Sequence, residues 1–328
     1  MNPAQPSRTS IVVAALRAFG AREPDAMVRN PDSLAERLIS SDELQLIKEH
    51  PIAQALGEEY QKARRQREIA GMSNLLLIRT RFIDECLVQA LSDGATQVVI
   101  LGAGFDTRAY RFAHLLKNKM VIEVDYQSTQ QIKKRRLAAA SIPVPSNVRF
   151  AEIDFKTDAL RDVLLKAGYN VSAKTFFIWE GVSFYLTETA VRETLRTISE
   201  GSIVGSSLVM DFAGAALIEM LGKFPGLPQH KYTTNWGEPW IFGLPDTRES
   251  EFFRECGLDV NEILNLFGPQ ASKRYLTRSD GSRFGNARGG GRPSERAFTT
   301  ILGVIWMFLT RRSQWYALAR LEVPVRAI

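Results

Sequence analysis

The sequence predicts a doubly wound α/β fold, and three observations carry that prediction. Short β-rich runs alternate with single helix-like stretches between about residues 95 and 212. The first run ends in a glycine turn that opens a helix, LGAGFDTR at 101–108. The next three runs each end in a carboxylate, where sheets of this kind bind ligands. The chain has 328 residues, 45% hydrophobic and 24% charged, which permits a large core and excludes a disordered or collagen-like chain.

Residues 1–93 read as a helical layer. Positions 10–19 carry small and apolar residues at helical spacing. Pro31-Asp32-Ser33 opens another segment, with Glu36 three residues after Ser33 in capping-box spacing. Residues 58–67 are charged and helix-favouring, and 74–91 are apolar with polar residues at helical intervals. A region without strands is expected to be a lid over the rest of the chain.

Residues 94–328 are expected to form the ligand-binding domain. Strands are predicted at 97–101, 120–124, 147–153, 175–179 and 206–210, with helices at 107–117, 127–140, 158–167 and 188–199. Residues 213–246, rich in Pro, Gly, Trp and Tyr towards their end, read as a cap insertion. A helix at 247–256 and a strand at 258–263 follow. Three consecutive glycines lead to the expectation of a flexible stretch at 283–293. The apolar stretch 297–309 reads as core or as a homodimer surface before a membrane-surface contact, and 315–322 as a closing edge strand.

Several function classes are excluded or disfavoured. The apolar run 301–309 is about half as long as a bilayer span requires. The run 11–16 is broken by Arg17, so no secretory signal is expected. Cys86 and Cys256 stand far apart, which gives neither a disulfide framework nor a zinc site; no metal is expected, and a reducing cytoplasm is. The net charge is +6, yet the basic clusters at 62–67, 133–136 and 283–296 lie among acids without a nucleic-acid reading motif. They read as solvated faces.

The strand ends carry the chemistry. Gly102 and Gly104 permit a tight turn and close approach of a ligand. A dinucleotide fingerprint needs a third glycine where this chain has Thr107, which counts against a pyrophosphate cradle and an NAD(P)-dependent oxidoreductase. Glu123 and Asp125 follow about 20 residues later, where a carboxylate accepts from ribose hydroxyls. Asp154 can bond an adenine amino group while Phe155 packs its ring. Glu180 ends the fourth strand. Singly, such acids are caps or ion-pair partners; in succession along one sheet edge they point to a nucleoside-bearing ligand.

The ordered set RTRFID, QVVILGAGFDTRAYR, EVD, EIDF and WEGVSFYLT resembles the leucine carboxyl methyltransferase family of S-adenosyl-L-methionine-dependent enzymes, in its bacterial small-molecule O-methyltransferase branch. The resemblance covers about residues 8–211. It implies a class I methyltransferase, Rossmann-like sheet of seven strands, the last antiparallel, with a helical N-terminal layer over the cofactor. Carried over, Arg79 pairs with the cofactor's methionine carboxylate, a bidentate geometry suited to arginine, with Arg81 as the choice in a shifted register. Gly102 and Gly104 face the methionine part. Asp125 holds the ribose, with Glu123 as the alternate. Asp154 and Phe155 address adenine, Glu180 the methionine amino group, and Tyr185 the substrate. Tyr126-Gln127-Ser128 departs from the family, where a proline commonly follows EVD.

The expected activity is O-methyl transfer to a small-molecule acceptor, anionic or aromatic, and a carboxylate before a phenol or alcohol. A carboxylate needs no base, and the chain has three histidines, His50, His114 and His230. His230, in the cap, is the base candidate for the hydroxyl alternative. Arg17, Arg22 or Arg64 are candidates to neutralise a carboxylate. Trp236, Trp240 and Phe242 suggest a pocket for a flat substrate, or cap core. A nucleic-acid methyltransferase is disfavoured, because WEGVSFY stands where an Asp/Asn-Pro-Pro-aromatic motif belongs. A non-catalytic S-adenosylmethionine-binding protein is the remaining alternative.

Overall fold

The computed structural model describes residues 7–155, 157–224, 228–285 and 315–325, with the backbone alone at 228–231. Seven strands form one sheet: β1 (Gln97–Leu101), β2 (Met120–Asp125), β3 (Val148–Glu152), β4 (Thr175–Trp179), β5 (Ser207–Ala213), β6 (Asp259–Asn265) and β7 (Tyr316–Glu322). Their order is β3-β2-β1-β4-β5-β7-β6. The pairs from β3 to β5 are parallel, and β7 is antiparallel to both neighbours.

Runs such as QVVIL are apolar throughout because both sheet faces are covered. Side chains alternate between faces with period two. Val98 and Ile100 of β1 and Phe176 and Ile178 of β4 pack with Phe19, Phe82 and Ile83 of the helical layer. Val99, Leu101, Phe177 and Trp179 pack on the other face with Leu195, Ile198, Phe252 and Phe253. The expected edge strand at 315–322 is interior: β7 lies between β5 and β6, and β6 takes the edge. The apolar residues of YALARLE fit that place, since Ala317, Leu318, Ala319 and Leu321 are fully buried.

The N-terminal layer is built on the helices Arg8–Ala21 and Arg67–Ser92. The capping box lies seven residues beyond the expected one. Ser40 and Glu43 cap the helix Ser41–Leu46 reciprocally. Asp32, not Ser33, meets the start of the short turn Ala35–Leu38, accepting from the Ala35 amide at 3.1 Å, and the turn has no side-chain cap at Leu34. Glu36 pairs with Arg22 instead. The helix expected at 107–117 shrinks to Arg108–Arg111; the chain then turns back through Asn118 at φ 66°, a conformation asparagine tolerates.

Cys86 and Cys256 are buried and free. Among the described residues no helix is long and apolar enough to cross a membrane, and no group of side chains is placed to hold a metal. The stretches 286–293 and 297–309 lie outside the described residues.

Candidate active site

A cavity of about 1710 Å³ opens at the carboxyl ends of β1, β2 and β4. The helix Arg8–Ala21, the first half of Arg67–Ser92 and the segment after residue 231 close it on the other sides. Arg79, Gly102, Gly104, Asp125, Asp154, Phe155, Glu180 and Tyr185, all named from sequence, line this one space.

Gly102 has φ +64°, and a Cβ there would lie 2.3 Å from a methyl of Val182. Only glycine fits the turn. Gly104 has φ +42°, and its amide donates to Asp125, whose other oxygen accepts from the Tyr126 amide at 2.6 Å. Burial pushes the Asp125 carboxyl above its ordinary range despite those two donors. The Asp125 carboxylate therefore braces the glycine turn while bordering the cavity. Tyr126 faces Asp154, whose charge together with burial raises its phenol.

The Glu180 carboxylate sits between two guanidinium groups. One carboxylate oxygen lies 2.7 Å from Arg79 Nε, the other 2.7 Å from Arg108 Nη1. Burial alone would raise this carboxyl; Arg79, Arg108 and Arg17 overcome it and hold Glu180 well below the usual range. Arg108 is tied in turn to Asp84 at 2.7 Å and to Asp106. Arg79 Nη1 donates to Asp211 at 3.0 Å and to the Tyr316 hydroxyl at 2.7 Å. Tyr316 donates to Asp211 at 2.5 Å, and the Gly181 amide donates to the other Asp211 oxygen at 2.6 Å. The Arg79 Nε and the facing Glu180 oxygen are in charge contact but not aligned as a hydrogen bond. A zwitterion, carboxylate towards Arg79 and ammonium towards Glu180, would give both atoms aligned partners. An α-amino acid head group has that pattern, so the residues fit the methionine end of the expected cofactor.

Other expectations are corrected. Glu123 does not line the cavity; it is fully buried and pairs with Lys133 at 2.6 Å, because its position on β2 turns it under the helix Gln127–Ala139. Arg81 lies outside the cavity, bonded to the carbonyls of Ala26 and Arg29. Arg22 and Arg64 are likewise spent elsewhere, Arg22 on Glu36 and the Leu56 carbonyl, Arg64 on Asn74 and the Ala70 carbonyl. Arg17 reaches the cavity wall, with Asp32 at 3.4 Å and the Phe105 carbonyl at 3.1 Å. Trp236 and Trp240 line the cavity, whereas Phe242 packs into the far core against Phe252. His114 is exposed. His230 falls in the helix Pro228–Asn235, its side chain outside the described residues.

The remaining wall is apolar and aromatic. Phe184 stacks near Trp240 with centroids 4.1 Å apart, and Trp240 lies 5.9 Å from Tyr316. His50, taken from sequence as a residue of the lid, also lines it, packed on Tyr232 at 4.8 Å. Its Nδ1 accepts from the Ile52 amide at 3.2 Å, and burial lowers its pKa to about 4. The ring is thus neutral, with its proton on Nε2.

Sequence reasoning missed Asp84, Asp106, Arg108, Asp211, Tyr316 and Glu238. Asp106 and Arg108 stood inside the glycine motif, and Asp211 lies two residues before the end of the fifth strand, near the same sheet edge as the named acids. Tyr316 and Glu238 carried no local signal.

The strand order and the row of acids at the sheet's carboxyl edge define a Rossmann-like methyltransferase of class I. Residues 10–199 match the family described as leucine carboxyl methyltransferase. The Bacillus subtilis protein YktD, provisionally named an S-adenosyl-L-methionine-dependent methyltransferase, is 32% identical over 68% of this chain and 76% of its own length. A Streptomyces coelicolor protein of the same provisional description is 30% identical over 73% of this chain and 78% of its own. An O-methyltransferase family protein of known structure from Burkholderia thailandensis, 15% identical, aligns over 96% of this chain and 83% of that one with a TM-score of 0.41. The chain belongs to the leucine carboxyl methyltransferase family of S-adenosyl-L-methionine-dependent methyltransferases.

Proposed function

We propose that this methyltransferase forms methyl esters, transferring a methyl group to a carboxylate oxygen of a small organic acid. One observation carries the reading. The cavity bordered by the strand-end acids continues into an aromatic chamber whose imidazole, His50, is fixed as a hydrogen-bond donor by the Ile52 amide on its Nδ1. A phenol or alcohol acceptor needs a base beside it. A carboxylate is already ionised near neutral pH.

Arg79 and Glu180 would hold the methionine head, Asp125 the ribose, and Asp154 with Phe155 the adenine. When bound, S-adenosylmethionine supplies an electrophilic methyl group on sulfur. A carboxylate oxygen would take that methyl as the carbon–sulfur bond breaks, giving a methyl ester and S-adenosylhomocysteine. The residues of the chamber orient the acceptor oxygen in line and strip water from it, and positioning with desolvation supplies much of the acceleration. Arg17, engaged by Asp32, leaves the carboxylate unquenched by a direct ion pair.

The test is methyl transfer from labelled S-adenosylmethionine to paired panels of carboxylic acids and phenols. Label that appears in the acids and is released by mild alkali supports the ester. Alkali-stable label, confined to the phenols, overturns it.

A further inference from the structure

We propose that Thr9, Tyr185 and Trp240 form the acceptor-oxygen site, and that the acceptor is a carboxylic acid on a flat apolar body. The proposal rests on the ester-forming reading above. Thr9 Oγ1, the Tyr185 hydroxyl and Trp240 Nε1 are each buried, and none makes a hydrogen bond of ordinary geometry. All three residues line the cavity. They are near neighbours: Thr9 and Trp240 are the two side chains that bear by hydrogen bonding on the Tyr185 phenol. The Tyr185 and Trp240 rings stand edge to face, 6.5 Å between centroids at 83°.

Buried polar atoms are almost always partnered, and the contacts of Thr9 and Trp240 on the Tyr185 oxygen are poorly aligned, so a common partner would serve all three better. The trio brings three protons, and indole can only donate. An incoming oxygen that only accepts suits it, and a carboxylate oxygen is one. None of the three is charged, so the oxygen is oriented without being neutralised. Beside it lies a wall of rings. Phe184 sits 4.1 Å from Trp240 and 6.1 Å from Tyr316, which favours a planar body over a branched one.

The trio comes from three distant segments, and Glu238 joins two of them. Its carboxylate accepts from the Ser7 hydroxyl at 3.0 Å, the Arg8 amide at 3.2 Å and the Thr9 amide at 3.1 Å. It lies two residues before Trp240 and is buried. These donors and the positive end of the helix Arg8–Ala21 meet its charge. Glu238 is a positioning residue: it seats Thr9 beside Trp240.

The test uses the full chain saturated with S-adenosylhomocysteine, titrated by calorimetry with 1-naphthoate, 1-naphthol and naphthalene. The wild type should bind naphthoate best. Thr9→Val, Tyr185→Phe and Trp240→Phe should each weaken naphthoate by about tenfold or more, the loss of one hydrogen bond to a charged group. Naphthalene affinity should not move in Thr9→Val and Tyr185→Phe, and S-adenosylhomocysteine affinity should not move in any of the three. Glu238→Gln should weaken naphthoate alone, with melting profiles confirming that each variant is folded. Naphthoate affinities within twofold across the variants, with ester still formed, would overturn the donor site and leave ester formation standing. Failure of the wild type to bind naphthoate would also overturn it. Preference for naphthol, felt by the same substitutions, would overturn both the acid and the ester-forming reading.

Discussion

Arg79 and Glu180 face each other across 2.7 Å inside the protein, and neither side chain is served by that contact alone. Arg79 is braced from behind by Asp211 and Tyr316, and Glu180 by Arg108. Removing Glu180 leaves two buried guanidinium groups without their common partner. Glu180→Ala should therefore cost about 3 kcal/mol of stability and at least tenfold in S-adenosylhomocysteine affinity. Chemical denaturation and calorimetry read the two losses separately. Unchanged cofactor affinity in a folded variant would remove Glu180 from the cofactor site.

The two turn glycines should respond differently. Gly102→Ala combines a left-handed backbone with a Cβ 2.3 Å from Val182 and should cost about 2 kcal/mol or more. At Gly104 the added methyl meets Ser10 at an ordinary 3.5 Å, so only the backbone conformation opposes it. Gly102→Ala should melt lower than Gly104→Ala; the reverse order would contradict the turn geometry.

His50 gives a pH dependence with a defined sign. Its folded pKa is about 4, below the unfolded value, so the unfolded chain binds the extra proton between about pH 6.5 and 4. Stability from this residue is present above pH 6.5 and is lost as pH falls, by up to about 3 kcal/mol at pH 4. His50→Asn keeps a good helix cap and should flatten the acid limb of the stability curve. Parallel acid limbs in the two proteins would show that the ring is protonated in the folded state.

Asp211 accepts from Gly181, Arg79 and Tyr316, and burial raises its carboxyl even against Arg79. Asp211→Asn swaps one accepting oxygen for an NH₂ that faces donors. A loss of about 2 kcal/mol in stability is expected, with a larger effect on S-adenosylmethionine KM than on kcat. Tyr316→Phe, which removes a donor to Asp211 and an acceptor for Arg79 but leaves their ion pair in place, should cost about 1 kcal/mol. Equal losses in the two variants would argue against Asp211 as the hub.

Much of this architecture could be read from residues alone, because strands covered on both faces leave continuous apolar runs and strand ends are marked by glycines and acids. What sequence did not reveal depends on distant partners. Glu123 and Asp125 are two residues apart on β2, and only the helix packed above decides that Glu123 meets Lys133 while Asp125 borders the cavity. YALARLE has the pattern of a strand but no mark of its neighbours, so its place between β5 and β6 was out of reach. Ser33 and Glu36 had capping-box spacing, yet Asp32 met the Ala35 amide and Arg22 took Glu36. Glu238 caps a helix 229 residues earlier in the chain, a relation with no local signature.

The interior position of β7 has a consequence for how the enzyme comes into being. Among the described strands it is the last in chain order, yet it fills a gap between two earlier ones and delivers Tyr316 to Arg79. A growing chain that has emitted β1 to β6 holds every strand-end acid but leaves Arg79 short of one partner and β5 without its neighbour. Completion of the shell around Arg79 is thus coupled to the arrival of β7, and β5 and β6 must wait with open edges until it docks.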